Sequence, residues 1–224
     1  MSISELERQV LAHPILTCRF LETIAQGSFS DEEIKLWVTQ QYYFSSQFPR
    51  CLAALYARIE DYEISRPLMT NFLAVEHWGT EHEGAHWKLY QKVLSFFGLS
   101  ASELKEQKPL EETEKYLKFR MQVCLTGTPE EALGNMAFAH EFVNSKIFDF
   151  YYKGIRKVRG MTDNVAEYFK VHVTDDVGDY EVLRDIIVRG YNTPASMELV
   201  KKGALAVLDA RLEYFDNLFK RFKS

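Results

Sequence analysis

The chain is short of cysteine and proline, and it has no basic run and no long uninterrupted apolar stretch. Its three cysteines, Cys18, Cys51 and Cys124, are odd in number and far apart. That excludes a disulfide framework and a zinc knuckle, and a reducing cytoplasm is the expected setting. With 27 Lys and Arg against 32 Asp and Glu the net charge is −5, the wrong sign for a nucleic-acid surface. No apolar run approaches the roughly 20 residues of a membrane helix. The polar, acidic opening from Met1 to Arg8 has no signal-peptide pattern. Neither nucleic acid nor membrane is therefore expected as a partner. Period-two alternation of β-branched residues is missing, as are internal repeats and low-complexity linkers, so strands and a second unit are not expected. What is present is 224 residues, 46% hydrophobic and 14% aromatic, which excludes disorder and suffices for one sizeable core. The expectation is a single all-α domain over 1–224.

Helix signals run the length of the chain. Apolar positions at helical spacing extend from Ser4 to Ala25, with a break at His13-Pro14. After the turn Gly27-Ser28-Phe29-Ser30, the pair Ser30 and Glu33 forms a capping box for a second helix, with a kink expected near Pro49. A third helix is expected from Pro67 to Phe97, stopped by Gly98. Ser100 with Glu103 caps another, followed by helices over Leu110 to Leu125, Pro129 to Gly160, Thr162 to Gly190 and Thr193 to Phe222.

One stretch concentrates chemistry: His172-Val173-Thr174-Asp175-Asp176-Val177-Gly178-Asp179. Residues three or four apart share a helix face, so His172 stands beside Asp175 and Asp176, and both stand beside Asp179. Apolar flanks on both sides are able to bury that face. Buried clustered carboxylates need protons, hydrogen bonds or a cation, and a mixed nitrogen and oxygen set suits iron, manganese or zinc. The bland alternative is an acidic solvated turn with a surface histidine.

Two other stretches are able to complete such a site. In Glu76-His77-Trp78-Gly79-Thr80-Glu81-His82-Glu83-Gly84-Ala85-His86, Glu76 and Glu83 share one face and Glu83 lies beside His86. The interior glycines suggest a distortion able to turn His86 toward Glu76. Glu141 sits within the apolar run Leu133 to Val143, where an acid has a raised pKa unless it is paired or metal-bound. His140, its neighbour, reads as a structural histidine facing elsewhere.

These residues together resemble the haem-oxygenase-like superfamily, and within it the haem-oxygenase-like dimetal oxidases. His13-Pro14, Phe20-Leu21 and the turn at Gly27 are similar to that superfamily's first helix and turn. Trp37 to Phe44 and Phe48-Pro49-Arg50 are similar to its second helix. Those oxidases carry a Glu, a His after six to nine intervening residues, an isolated Glu, then His-x3-Asp-x2-His. Glu76, His86, Glu141, His172 and Asp176 fit these positions, and Asp179 stands where the pattern has its last histidine. The resemblance implies a haem-oxygenase-like bundle of about seven to eight helices. It also implies two Fe(II) ions, or manganese, held by Glu76, His86, Glu141, His172, Asp176 and Asp179, with Asp175 and Glu83 as alternates.

The implied activity is O₂-dependent oxidation of a small organic substrate in a biosynthetic pathway. Amino acids or their derivatives are the expected substrates, including an aromatic, tryptophan-like one converted to a nitrile. Tyr42, Tyr43, Trp78, Phe138 and Phe169 are the expected pocket residues, although ordinary core packing is the better reading of most of these aromatics. A homodimer is expected from family habit. Two alternatives remain: a cofactorless oxidase resembling pyrroloquinoline-quinone synthase, and a non-enzymatic interaction protein. Thiaminase-like members need a cysteine in the helix of Glu141, and this chain has none there. A haem reading rests on His13 alone.

Overall fold

The computed structural model describes residues 1–73, 86–174 and 176–223, and all of their side chains except those of 71–73, 174, 176 and 177. The described residues are helical throughout, with no strand among them. Several of the expected long helices are interrupted, so the bundle has more pieces than the seven or eight anticipated. α1 (Ile3–Leu11) is capped by the Ser2 hydroxyl, and a short 3₁₀ turn (Pro14–Thr17) separates it from α2 (Arg19–Ala25). Gly27, at φ 65°, makes the following turn. The capping box then starts α3: Ser30 N–H donates to Glu33 at 2.6 Å, and Glu33 N–H donates to Ser30 Oγ at 3.2 Å.

α3 (Asp31–Tyr56) continues through Pro49 rather than ending there. Proline costs the helix one hydrogen bond, and the lining of the main cavity includes Ser45, Ser46, Phe48 and Pro49. α4 (Tyr62–Pro67) begins earlier than the sequence suggested because Asp61 caps it, accepting from Ile64 N–H. A π-helical segment (Leu68–Leu73) follows. α5 (His86–Phe96) ends at Gly98, again at positive φ. α6 (Ala101–Lys105), capped by Ser100, and α7 (Glu111–Thr126) come next.

The expected helix from Pro129 is in fact three pieces. α8 (Pro129–Leu133) passes into a nine-residue π-helical segment (Gly134–Phe142) and then α9 (Val143–Ile155). α10 (Asp163–Thr174) and α11 (Asp176–Gly190) meet at the acidic stretch, and α12 (Pro194–Phe222), capped by Thr193, closes the chain.

Two glycines let α12 press against the strip that carries Glu141. A Cβ at Gly134 would stand 2.0 Å from the Val200 carbonyl oxygen, and one at Gly203 would stand 2.1 Å from that of Glu131. Only hydrogen fits at either point. α10 packs along both α9 and α5, and α3 lies against α5 and α7. Trp37, Phe20, Phe148, Phe169 and Phe215 fill the core between them, all under 2% exposed. No helix among the described residues is long and apolar enough to cross a membrane.

Candidate functional site

A cavity of about 810 Å³ opens between α3, α5, the π segment before α9, and α10. Four residues singled out in the sequence as metal ligands line it: His86, Glu141, His172 and Asp179. The backbone explains why they meet. His86 begins α5 and His172 lies in the last turn of α10, so packing of α10 on α5 sets the two imidazoles 4.7 Å apart, centroid to centroid. Glu141 is the last residue but one of the π segment and is 3% exposed. Asp179 lies in the first turns of α11.

His172 is arranged as a nitrogen ligand would be. Its Nδ1–H donates to the Tyr168 backbone carbonyl at 2.7 Å, one turn back. This leaves Nε2 as the unprotonated nitrogen. Phe148 stacks on the ring at 4.4 Å and 13°. Burial, then the neighbouring His86, push the pKa of His172 well below the ordinary histidine range, so the ring is neutral near pH 7.

Glu76, Glu83, Asp175 and Trp78 lie outside the described residues, as does the side chain of Asp176, whose backbone opens α11. Among the described residues no group of three or more metal-ligating side chains is close enough to enclose an ion. The donors that are described nevertheless suit iron in kind: two adjacent imidazoles, one with its tautomer fixed by a backbone carbonyl, and a buried carboxylate.

Three of the expected pocket aromatics are not among the residues lining this cavity. Phe138 is fully buried and packs edge-on to Phe142 and Tyr180, away from the cavity. Phe169 stacks on Trp37 in the core. Tyr43 turns outward and donates to the Leu104 carbonyl at 3.0 Å. Tyr42 does line the cavity, with Phe44, Phe48, Tyr90, Phe148 and Tyr168. At its solvent side stand the exposed Arg50 and Lys105.

Two cavity residues escaped the sequence reading. His140 was assigned to another face, but in the π segment it and Glu141 both line the cavity. The wider i→i+5 winding shifts the phase that an ordinary helix would impose. Asn144, one turn further, lines it too. No local signal announces a π segment, except that Gly134 to Glu141 is buried on every side. His13, the only haem-ligand candidate, uses both ring nitrogens: Nδ1 accepts from Ile15 N–H, and Nε2 faces Asp209 at 3.0 Å.

Residues 35–212 match the model of a family described as iron-containing redox enzymes. The chain belongs to that family. Among curated proteins it is similar to a 4-aminobenzoate synthase of Chlamydia pneumoniae, at 22% identity over 92% of this chain and 90% of that protein. Among solved structures, a CADD-like protein from Nostoc punctiforme superposes with a TM-score of 0.81 at 17% identity, covering 99% of this chain and 96% of that one. A domain from Shewanella denitrificans with a haem oxygenase-like fold gives 0.76 at 19% identity, over 100% and 94%. A TenA homologue from P. horikoshii gives 0.74 at 16%, over 96% and 95%. The fold is haem-oxygenase-like, as the sequence implied.

Proposed function

We propose that this member of the iron-containing redox enzymes is a non-haem oxidase that binds two ferrous ions and uses O₂ to oxidise a small aromatic substrate. The observation that carries the reading is the meeting of His86, His172, Glu141 and Asp179 at one cavity. His86, Glu141, His172 and Asp179 would hold the metals, together with Glu76 and Asp176. When bound, iron supplies the one-electron and O₂ chemistry that amino-acid side chains lack.

The chain's own contribution is positioning and exclusion of water. Tyr168 fixes the His172 ring through its carbonyl, while Phe148 holds the ring plane. Tyr168 O–H and Ser45 Oγ, 2.6 Å apart, tie α10 to α3 across the cavity wall. Phe44, Phe48, Tyr90 and Phe148 supply apolar faces for a planar substrate. Arg50 and Lys105 at the solvent side favour entry of an anion. The chlamydial relatives' name, 4-aminobenzoate synthase, supports a small aromatic compound as the type of molecule handled.

Anaerobic reconstitution with ferrous iron, followed by metal analysis, tests the proposal. About two irons per chain are expected, with O₂ uptake on exposure to air. A Glu141→Ala, His172→Ala double variant that retains as much iron as the natural sequence would overturn it.

A further inference from the structure

Behind the cavity wall lie two arginines, Arg120 on α7 and Arg211 on α12, with 0% and 1% exposure. Among the described residues neither has a carboxylate within ion-pair distance, and Nε and Nη1 of Arg120 are buried without any partner. Phe44 lies between the two guanidinium groups, whose carbons stand 4.6 and 4.8 Å from its ring centroid. That contact offsets part of the cost of burying two charges. It does not neutralise them.

Each guanidinium holds one cavity-lining side chain in a fixed sense. Arginine only donates. Arg120 Nη2 is 3.0 Å from His140 Nδ1, so Nδ1 must be the acceptor and Nε2 must carry the hydrogen. Arg211 Nη1 donates to Asn144 Oδ1 at 2.8 Å, so the amide is oriented with its NH₂ turned the other way. That Nδ2 is buried and has no acceptor among the described residues. Among the described residues the nearest carboxylate oxygen to His140 Nε2, on Glu141, is 3.9 Å off, too far for a hydrogen bond. Two N–H donors one turn apart, on residues that both line the cavity, are thus set by two buried cations.

We infer that His140 Nε2–H and Asn144 Nδ2–H form an anchor for a substrate carboxylate, with Arg120 and Arg211 as positioning residues that fix the donors. The inference deepens the substrate reading above and rests on the same cavity, but the donors belong to the protein and need no metal. A bound carboxylate gives the orphan donor its acceptor and compensates the buried positive charge. It also orients an aromatic ring along the apolar walls. A merely structural role for these groups would leave Nδ2 of Asn144 buried and unbonded, which costs stability without return.

The test is calorimetric binding of 4-aminobenzoate and its uncharged amide, 4-aminobenzamide, to both the metal-free and the iron-loaded full-length protein. The acid should bind at least about 10-fold more tightly than the amide in both forms, the equivalent of one charge-assisted hydrogen bond. Asn144→Asp should abolish that preference. Arg120→Met should reduce the preference and move the ¹⁵N signals of His140 away from the Nε2–H tautomer.

Equal affinity for acid and amide in the metal-free protein, or no measurable binding of the acid, overturns the anchor. So does a preference that survives Asn144→Asp unchanged. Preference only in the iron-loaded form would mean that the metal takes the carboxylate, which also overturns the anchor. Failure to bind iron would sink the oxidase reading alone, because the metal-free arm stands by itself.

Discussion

His86 and His172 stand with ring centroids 4.7 Å apart at the end of a buried cavity, although one opens a helix and the other sits in the last turn of a different one. Burial and mutual proximity both disfavour a proton on His172. A cation would reverse that balance, since it rewards the Nε2 lone pair that the Tyr168 contact leaves on His172.

Iron should therefore stabilise the folded chain by mass action. Ferrous iron at about 100 times its Kd is worth about 2.7 kcal/mol of added stability. Thermal unfolding with and without iron should show that gain for the natural sequence and not for Glu141→Gln. The metal-free Glu141→Gln variant should unfold within about 1 kcal/mol of its parent, the range of an isosteric change whose hydrogen bonds are replaced. An equal iron-dependent gain in the variant would remove Glu141 from the ligand set.

The pH dependence of the metal-free protein follows from two buried histidines. Burial, then the charges of Arg120 and Arg211, push the pKa of His140 well below the ordinary value; burial and His86 do the same for His172. Below about pH 6.5 the unfolded chain takes up protons that the folded chain refuses. The stability these groups contribute is therefore complete above that pH and is lost as pH falls beneath it. Each histidine adds a slope of up to about 1.4 kcal/mol per pH unit. Urea unfolding of metal-free protein should weaken steadily from about pH 6.5 to about pH 5, with the slope reduced in His140→Gln. A midpoint that is flat over that interval would show that neither ring is held neutral.

Packing at Gly203 transmits directly to the site. Its missing Cβ would stand 2.1 Å from the Glu131 carbonyl oxygen, just ahead of the π segment that carries Glu141. Gly203→Ala should cost about 1–3 kcal/mol, the usual range for overpacking, and should weaken iron binding because the strip carrying Glu141 must shift. An exposed substitution of equal cost on α1 serves as the control. Equal iron retention in the two variants would mean that the backbone contact does not position the ligand.

What the sequence revealed and what it concealed divide along physical lines. Caps and stops at Ser30, Gly98, Ser100 and Thr193 depend on neighbouring residues only, and each stands where the sequence put it. His86, Glu141, His172 and Asp179 were legible as ligating residue types in recurring spacing, though their convergence depends on helix packing that no local pattern encodes. Phase was the weak point. A 3.6-residue period turns His140 away from Glu141, whereas the π winding brings both to the cavity. Phe138 and Phe169 failed for the opposite reason: aromatic residues near a site in sequence are most often core, and both are. Arg120 and Arg211 carried no signal at all, because a buried arginine looks like any surface arginine until its neighbours are known.

Asp179 is the residue where this chain departs from the oxidase pattern, and under the proposed function it is the ligand that would separate one metal from two. Its carboxylate lines the cavity from α11 while His86 and His172 approach from α5 and α10. As a ligand approaching from a different helix, Asp179 would serve one side of the proposed two-metal site. Asp179→Asn keeps the shape and removes the charge, so it should lower iron from about two per chain toward one, as two-metal sites divide their ligands between ions. His172→Ala should remove more, because it takes away a nitrogen whose lone pair is already oriented by the Tyr168 carbonyl. Metal analysis after anaerobic reconstitution and gel filtration reads both variants. Should Asp179→Asn keep both irons through gel filtration, Asp179 lies outside the coordination shell, and the departure from the family's histidine is then one of cavity polarity rather than of metal ligation.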